Sequence, residues 1–226
     1  MQRITSRAII LSRRDYGEAD RIINFLTNDN GRVSGIAKGV KKPKSKMAGG
    51  LELFSIVSIS FLASNRELKT IVSTELIRHF GNIAADLGKT LWLYDVLKLM
   101  QKSLPESCDS EYFDLLSELM GYLNEVEGSL WSSQLWFYSR WLELHGQQFD
   151  TVWETGGQEL KGEAFFYSHE NKGFISGRNG NFTLNHLKLV RLATKLKPQK
   201  LSQVVNGDKL ALELNKVLMK ASQQVV

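Results

Sequence analysis

Apolar and polar residues alternate along parts of the first 80 positions of the chain. In residues 53–61, Val57, Ile59 and Phe61 alternate with Ser58 and Ser60, which predicts a strand with one buried and one solvated face. Short apolar runs predict four further strands at residues 8–11, 21–27, 32–38 and 68–76. The first third of the chain is therefore predicted to be a β structure.

The segments between these runs are rich in turn-forming residues. Asn28, Asp29, Asn30 and Gly31 tolerate positive φ angles, so residues 21–27 and 32–38 are predicted to form a hairpin. Five short strands with one long loop between the third and the fourth fit a small closed barrel such as an OB-fold. An SH3-like barrel is the structural alternative, and periodicity does not separate the two.

From about residue 82 the apolar spacing becomes that of helices, which are predicted at residues 89–104, 111–126, 130–145, 184–196 and 210–221. The segment 130–145 is apolar on nearly all sides and contains Trp131, Trp136 and Trp141, which is typical of a buried central helix. Residues 165–167 and 174–175 are predicted to be two short strands of a hairpin. The prediction is an α+β chain with an OB-fold domain at residues 1–80 and a helical domain at residues 81–226.

Charge is segregated along the chain, whose net value is +5. Residues 1–80 carry 14 Lys or Arg and 7 Asp or Glu, residues 81–160 carry 4 and 13, and residues 161–226 carry 11 and 4. A basic N-terminal module favours nucleic acid or an acidic partner. No apolar run approaches the roughly 20 residues that span a bilayer, and the N-terminal apolar run is too short for a signal peptide, so we expect no membrane association and a cytosolic protein.

Five lysines lie within nine residues of the loop after the third predicted strand. Gly39 and Pro43 keep this loop out of helix and strand, and the crowded ammonium groups repel one another unless a polyanion lies across them. A solvated loop is the alternative for an isolated lysine run. The position of the loop in a basic barrel favours phosphate contacts instead, and the predicted nucleic-acid-binding residues are Arg13, Arg14, Arg32, Lys38, Lys41, Lys42, Lys44 and Lys46.

Signatures of catalysis are missing from the sequence. The four histidines are scattered without the spacing of a zinc site, and acidic neighbours disfavour a thiolate at the single cysteine, Cys108. Asp15, Glu18 and Asp20 could hold Mg²⁺, although ion pairing with nearby arginines is the favoured interpretation. We therefore expect no catalytic residue, no metal and no cofactor.

Several short motifs resemble one protein family in their order and spacing. They are residues 13–21 (RRDYGEADR), 25–27 (FLT), 31–33 (GRV), 37–39 (AKG) and 51–54 (LELF). The chain resembles the RecO family of recombination mediators over nearly its whole length, and residues 172–175 lie where that family has a Gly-rich strand.

One departure from the family concerns zinc. Many RecO proteins carry a four-cysteine zinc module after the central helices, and the matching positions here lie near Val152, Thr155, Ser176 and Asn179. None of these is cysteine, so the chain resembles a zinc-free branch with a degenerate module at about residues 146–181. Packing of Phe165, Tyr167 and Phe174 is expected to hold this region together.

The resemblance implies an OB-fold followed by a helical domain, binding of single- and double-stranded DNA, and annealing of complementary strands. It also implies partnership with RecR and with the acidic C-terminal tail of the single-stranded-DNA-binding protein, and it makes RecF a further candidate partner. Together these activities would load RecA in recombinational repair. A metal-dependent nuclease and a general RNA-binding OB protein are the alternatives.

Basic residues at helical spacing near the end of the chain predict a second site, for an acidic peptide. Lys188, Arg191, Lys195 and Lys197 would bind its carboxylates, and Leu187 and Leu192 would supply an apolar anchor. A solvated helix face is the alternative.

Overall fold

The computed structural model describes residues 2–43, 45, 47–127, 129–154 and 157–225. The chain divides into two compact units, residues 1–126 and residues 127–226. Among the described residues, no helix combines the length and the apolar character that a bilayer span requires.

The first unit begins with five strands: β1 (Arg3–Tyr16), β2 (Asp20–Thr27), β3 (Arg32–Ala37), β4 (Ser55–Leu62) and β5 (Leu68–His79). They form a closed barrel in the order β1-β2-β3-β5-β4, in which β3 and β5 are parallel and the other neighbours are antiparallel. This five-stranded barrel confirms the predicted OB-fold.

The interior of the barrel is filled by the apolar residues that alternate along each strand. Phe25 and Phe61 contact each other there, with ring centroids 5.7 Å apart. Strand β1 is buried on both faces: Ala8 and Ile10 point into the barrel core, whereas Ile9 lies outside that core and is also fully buried. A bulge at Leu11 shifts the pairing between β1 and β2 and lets β1 bend around the barrel.

Three helices complete the first unit: α1 (Gly81–Ala84), α2 (Leu87–Ser103) and α3 (Ser110–Glu125). Helices α2 and α3 both contact β1. The second face of β1 is therefore covered by helices, which explains why Ile9 and Leu11 are only 0% and 3% exposed.

The described residues of the second unit form the helices α4 (Trp131–Leu144), α5 (Leu184–Lys195), α6 (Pro198–Leu201) and α7 (Gly207–Gln223). Helix α4 contacts the other three, and Trp136 and Trp141 are buried, which confirms the predicted central helix. A small sheet has the order β7-β6-β8 and consists of β6 (Ala164–Ser168), β7 (Gly173–Ser176) and β8 (Phe182–Thr183). The hairpin of β6 and β7 was predicted, whereas the two-residue β8 is too short to leave a periodic signal.

Aromatic rings hold the region where many RecO proteins carry zinc. Phe174 is fully buried and its ring contacts those of Phe149, Tyr167 and Phe182 at centroid distances of 5.7, 5.8 and 5.3 Å. Of the positions matched to cysteine ligands, Thr155 lies outside the described residues. Ser176 is tied to the loop before β6 by its amide, which donates to the Glu154 carboxylate at 2.9 Å. Hydrogen bonds from Ser176 lower the pKa of Glu154.

Candidate nucleic-acid interface

The lysine loop leaves the barrel at the end of β3 and is clamped to the turn between β1 and β2. Gly39 adopts a φ of +67°. Its amide donates to Oδ1 of Asp20 at 2.7 Å, and the amide of Lys41 donates to the carbonyl of Ala19 at 3.0 Å. The base of the loop is therefore fixed through its backbone amides, independently of its own charged side chains.

Apolar residues of the loop close the end of the barrel. Val40 is 2% exposed and belongs to the barrel core, together with Leu51 and the partly buried Met47. With these side chains turned inward, Lys38 and Lys42 are exposed. Two further predicted contacts, Lys44 and Lys46, lie outside the described residues.

The three predicted arginine contacts are placed at different parts of the barrel. Arg14 is exposed on the outer face of β1, opposite Ile22 of β2. Arg13 forms an ion pair with Glu52. Arg32 starts β3 at the end remote from the lysine loop, about 20 Å away for six residues of strand, and its Nε donates to the carbonyl of Leu104 at 2.9 Å. Arg14 is thus exposed next to Asp15, the residue whose carboxylate pairs with Lys41 of the loop, while Arg32 serves a contact with the segment after α2.

The three acidic residues considered as magnesium ligands do not form a cluster with open oxygens. Oδ1 of Asp15 accepts from Nε of Arg21 and Oδ2 accepts from Nζ of Lys41, both at 2.9 Å. Hydrogen bonds from Lys41 and Arg21 lower the pKa of Asp15. Asp20 accepts from the Gly39 amide, and the described residues contain no group of three metal-ligating side chains. This arrangement fits ion pairing.

Sequence reasoning missed two features of this surface. Arg21, which was not among the predicted contacts, lies beside Lys41 through their shared partner Asp15. The outer face of β1, β2 and β3 also carries a half-buried apolar pair, Ile22 and Ile36, directly opposite each other in register. The short turn at Gly17 sets the register of the β1–β2 hairpin, and this register would have predicted that Arg21 lies opposite Asp15.

The same outer face has a polar row beside the apolar pair. Nδ2 of Asn24 donates to Oγ of Ser12 at 2.9 Å, and Oγ of Ser34 donates to Oδ1 of Asn24 at 2.6 Å. Tyr16, at the end of β1, is 55% exposed. In OB-folds, strands 2 and 3 form the face that binds oligonucleotides, and an exposed ring beside it could stack on a base.

The predicted peptide site lies on α5. Lys188, Lys195 and Lys197 are exposed. Of the two predicted anchors, Leu192 is half-buried, whereas Leu187 is 1% exposed and belongs to the core of its unit, so Leu187 does not supply the apolar anchor. Nε of Arg191 donates to Oγ1 of Thr151 at 2.6 Å.

A cavity of about 290 Å³ opens beside Arg191 and Lys195. Its apolar lining comes from Leu142, Phe149, Val190 and Leu218. The carboxylate of Asp150 also lines it, and its Oδ1 accepts the amides of Val152 and Trp153 at 2.7 and 2.8 Å. The cavity therefore combines apolar walls with the cations of Arg191 and Lys195 and the acidic Asp150.

Comparison with known proteins bears on both units. The model of the family described as recombination protein O, N terminal, matches residues 1–80. The DNA repair protein RecO of Dehalococcoides mccartyi strain ATCC BAA-2266 is 35% identical over 141 residues, which cover 62% of this chain and 53% of that protein. Residues 1–80 therefore match the N-terminal domain of the RecO family, and the similarity to RecO proteins extends beyond that domain.

Other RecO proteins match to a similar extent. The DNA repair protein RecO of Desulfatibacillum aliphaticivorans is 30% identical over 152 residues, which are 65% of this chain and 58% of that protein. That of Heliobacterium modesticaldum is 29% identical over 130 residues, covering 58% of this chain and 47% of that protein. The chain spans about half the length of the RecO relatives it matches.

Proposed function

We propose that this chain is a RecO-family protein that acts in DNA repair as a recombination mediator and binds DNA through its barrel. Lys38, Lys41 and Lys42 would contact phosphates at the end of the barrel, with Arg14 extending the basic surface along β1. Phosphate contacts carry no sequence information, which suits a protein that acts at any lesion. The observation that carries the proposal is the clamped lysine loop, which directs apolar residues inward and lysines outward.

The proposal includes the activities that the family resemblance implies. The chain would bind single- and double-stranded DNA, anneal complementary strands, and help to load RecA on DNA coated by the single-stranded-DNA-binding protein, with RecR as a partner. It would do so without catalysing bond cleavage, because Asp15 and Asp20 are engaged by cations and by a backbone amide. Predicted contacts Lys44 and Lys46 extend the same loop.

The salt dependence of DNA binding tests the phosphate contacts. Each neutralised phosphate of a single strand adds about 0.7 to the slope of log K against log salt. The triple variant Lys38→Gln, Lys41→Gln, Lys42→Gln should bind labelled oligo(dT) more weakly and flatten this slope by roughly 2 between about 50 and 200 mM salt. Fluorescence anisotropy titrations measure both quantities.

A matched control separates local contacts from net charge. Lys98 and Lys102 on α2 and Lys209 on α7 are exposed, and changing all three to Gln removes the same total charge from residues outside the barrel strands and the lysine loop. This control should leave the slope nearly unchanged. An equal flattening in both triple variants would refute the proposed contacts.

Strand annealing distinguishes the mediator from a nuclease. Two complementary oligonucleotides carrying a fluorescence donor and acceptor should pair faster in the presence of the protein, without ATP. Adding Mg²⁺ should leave both strands intact on a denaturing gel. Metal-dependent shortening of either strand would instead establish the nuclease alternative, and equal competition by RNA of the same sequence would favour a general RNA-binding protein.

The cavity beside α5 is the proposed docking point for an acidic protein tail, such as that of the single-stranded-DNA-binding protein. Arg191 and Lys195 would attract carboxylates, and the walls formed by Leu142, Phe149 and Val190 would receive an apolar side chain. Lys188 and Lys197 lie on the exposed side of the same segment and could contact the acidic residues further along the tail.

Calorimetric titration with an acidic peptide that ends in an apolar residue tests this site. Lys195→Glu should weaken binding roughly fivefold or more, since an exposed charge pair contributes up to about 1 kcal/mol and reversal adds repulsion. Lys216→Glu, on α7 beside Glu213, is the control with the same charge change. If the unaltered chain shows no heat of binding, the proposed peptide site is refuted, and the DNA-binding proposal is unaffected.

A further inference from the structure

The carboxylate of Asp15 lies between two cations at the edge of the proposed DNA surface. Its two oxygens are shared, one with Nε of Arg21 and one with Nζ of Lys41, each at 2.9 Å. A guanidinium and an ammonium held by two oxygens of one anion are the groups that bind phosphate in proteins. The arrangement resembles an occupied phosphate site in which a side chain supplies the anion.

The backbones that carry the two cations are positioned by the fold and would stay in place without the carboxylate. Arg21 is directly opposite Asp15 in the pairing of β1 with β2. Lys41 is fixed through its own amide, which donates to the Ala19 carbonyl at 3.0 Å, and through the neighbouring clamp of Gly39 on Asp20. Removing the Asp15 charge therefore uncovers two cations and leaves their backbone supports intact.

We propose that Arg21 and Lys41 form a phosphate-binding site, and that the Asp15 carboxylate fills it until a nucleic-acid phosphate takes its place. The proposal rests on DNA binding by the barrel and adds Arg21 to the predicted contacts. Asp15 is an internal competitor that weakens DNA binding. Hydrogen bonds from Lys41 and Arg21 lower the pKa of Asp15, so the carboxylate holds its charge further into acid than an ordinary aspartate.

The exchange of carboxylate for phosphate is feasible because the cluster faces solvent. The side chains of Asp15, Arg21 and Lys41 are 53%, 22% and 33% exposed. Exposed ion pairs contribute little to stability, so water and rotation of one side chain suffice to open the site. A polyanion can displace the Asp15 carboxylate because its neighbouring phosphates bind Lys38 and Lys42 at the same time, and this binding releases counterions.

Asp15→Asn is the direct test, because it keeps the shape and removes the charge. It should tighten binding of oligo(dT) roughly threefold to tenfold at fixed salt, the range expected when two exposed charge pairs no longer have to be broken. Asp15→Ala is a second variant that also removes the hydrogen-bond acceptor, and it should tighten binding similarly. Thermal melts verify that both variants remain folded.

Glu18→Gln is the matched control. Glu18 is an exposed carboxylate in the same turn between β1 and β2, so its removal changes the local net charge by the same amount. It should change affinity by less than the Asp15 variants. Equal tightening by Glu18→Gln and Asp15→Asn would mean a general electrostatic effect and would overturn the site.

A double-mutant comparison with Arg21→Gln completes the test. Arg21→Gln alone should weaken DNA binding, and in that background Asp15→Asn should lose a large part of its effect. If the lysine triple variant weakens binding and Asp15→Asn does not tighten it, the DNA proposal stands and the competitor fails. If none of these variants alters binding, both proposals fail.

Discussion

Gly31 determines how the hairpin of β2 and β3 contacts the segment after α2. Its φ is +66°, a conformation that side chains disfavour. A Cβ atom here would lie 2.1 Å from the carbonyl oxygen of Glu106 and 2.9 Å from the amide nitrogen of Cys108. The next amide, of Arg32, donates to that same carbonyl at 2.9 Å. The contact between the hairpin and the segment after α2 therefore requires glycine for both backbone shape and space.

We expect Gly31→Ala to destabilise the protein more than Gly17→Ala. Gly17 has a φ of +60° and nothing within 4 Å of its Cβ position, so its substitution measures backbone strain alone, about 1–2 kcal/mol. Gly31→Ala must also displace Glu106 and weaken the bond from Arg32, adding roughly 1–2 kcal/mol. Urea unfolding of the two variants measures the difference, and equal losses would contradict the close contact.

His186 makes the stability of α5 sensitive to acid. The amide of Thr183 donates to Nδ1 of His186 at 3.0 Å, so this nitrogen accepts and must be unprotonated, in a capping box at the start of the helix. Burial lowers the pKa of His186, and the charge of Glu213 opposes this shift. The folded pKa of His186 therefore lies below its unfolded value of about 6.5. Neutral His186 stabilises the folded protein above that pH, and this stabilisation is lost as pH falls through the folded pKa.

The pH dependence of unfolding should change on substitution of His186. His186→Gln keeps a side-chain acceptor at the same capping position and should remove the loss of stability between about pH 7.5 and 5 that His186 causes. His186→Ala should cost about 1 kcal/mol at pH 7.5 and likewise flatten the profile. Thermal unfolding of the three proteins across this range measures both effects, and identical pH profiles for all three would show that His186 does not titrate in this way.

At the residue scale, the sequence predicts which side chains are exposed better than it predicts which side chains contact each other. The exposed positions of Lys38 and Lys42 followed from their place in a loop rich in lysine. The position of Arg21 beside Lys41 depends on the register between strands, and the number of charges along the chain does not reveal that register. Leu187 was predicted as an accessible anchor, but its helix buries it, because the exposed side of α5 is the one that carries Lys188 and Lys195.

At the scale of elements, the lysine loop is held by its few apolar residues. Val40 belongs to the barrel core at 2% exposure, and Oγ1 of Thr74 on β5 donates to the carbonyl of Met47 at 3.1 Å. The loop is thus fixed at its start by the β1–β2 turn and at its end by β5. A loop fixed at both ends can present cations in a constant arrangement despite their mutual repulsion.

Truncation of Val40 should loosen this element. Val40→Ala removes buried methyl groups at the end of the barrel and should lower the free energy of unfolding by roughly 1–3 kcal/mol. It should also weaken DNA binding, although no charge is changed, because the loop loses its internal anchor. Val72→Ala, at a position on β5 that is 41% exposed, is the control and should change neither property appreciably. Unaltered stability in Val40→Ala would show that the loop does not depend on the core.

Strand existence was predictable from alternation, but strand length was not. Residues 8–11 predicted a short strand, and β1 actually extends over Arg3–Tyr16. Its two ends pair with β4 and with β2 through backbone hydrogen bonds, and their side chains are polar because they face solvent. Such hydrogen-bonded polar ends leave no hydrophobic pattern. The parallel pairing of β3 with β5, which closes the barrel, likewise depends on contacts between residues far apart in sequence.

At the scale of the whole molecule, the barrel depends on the helices that follow it within the first unit. Ile9 and Leu11 lie outside the barrel core yet are buried, on a strand that contacts α2 and α3. The guanidinium of Arg7 lies 5.5 Å from the centroid of the Phe113 ring on α3. These contacts place the end of the first compact unit at residue 126. The domain boundary predicted at residue 80 stays a prediction that a truncation series can test.

A fragment of residues 1–126 should fold and bind DNA, whereas a fragment of residues 1–80 should not form a stable monomer. Ending at residue 80 would expose Ile9 and Leu11 and leave Gly31 and Arg32 without their partners in the segment after α2. Each fully exposed large aliphatic side chain costs about 1.5–3 kcal/mol, a large part of the stability of a small barrel. Circular dichroism melts, light scattering and oligo(dT) titrations compare the two fragments. If residues 1–80 melt cooperatively at the same temperature as residues 1–126, the helices are dispensable and the barrel alone is the folding unit.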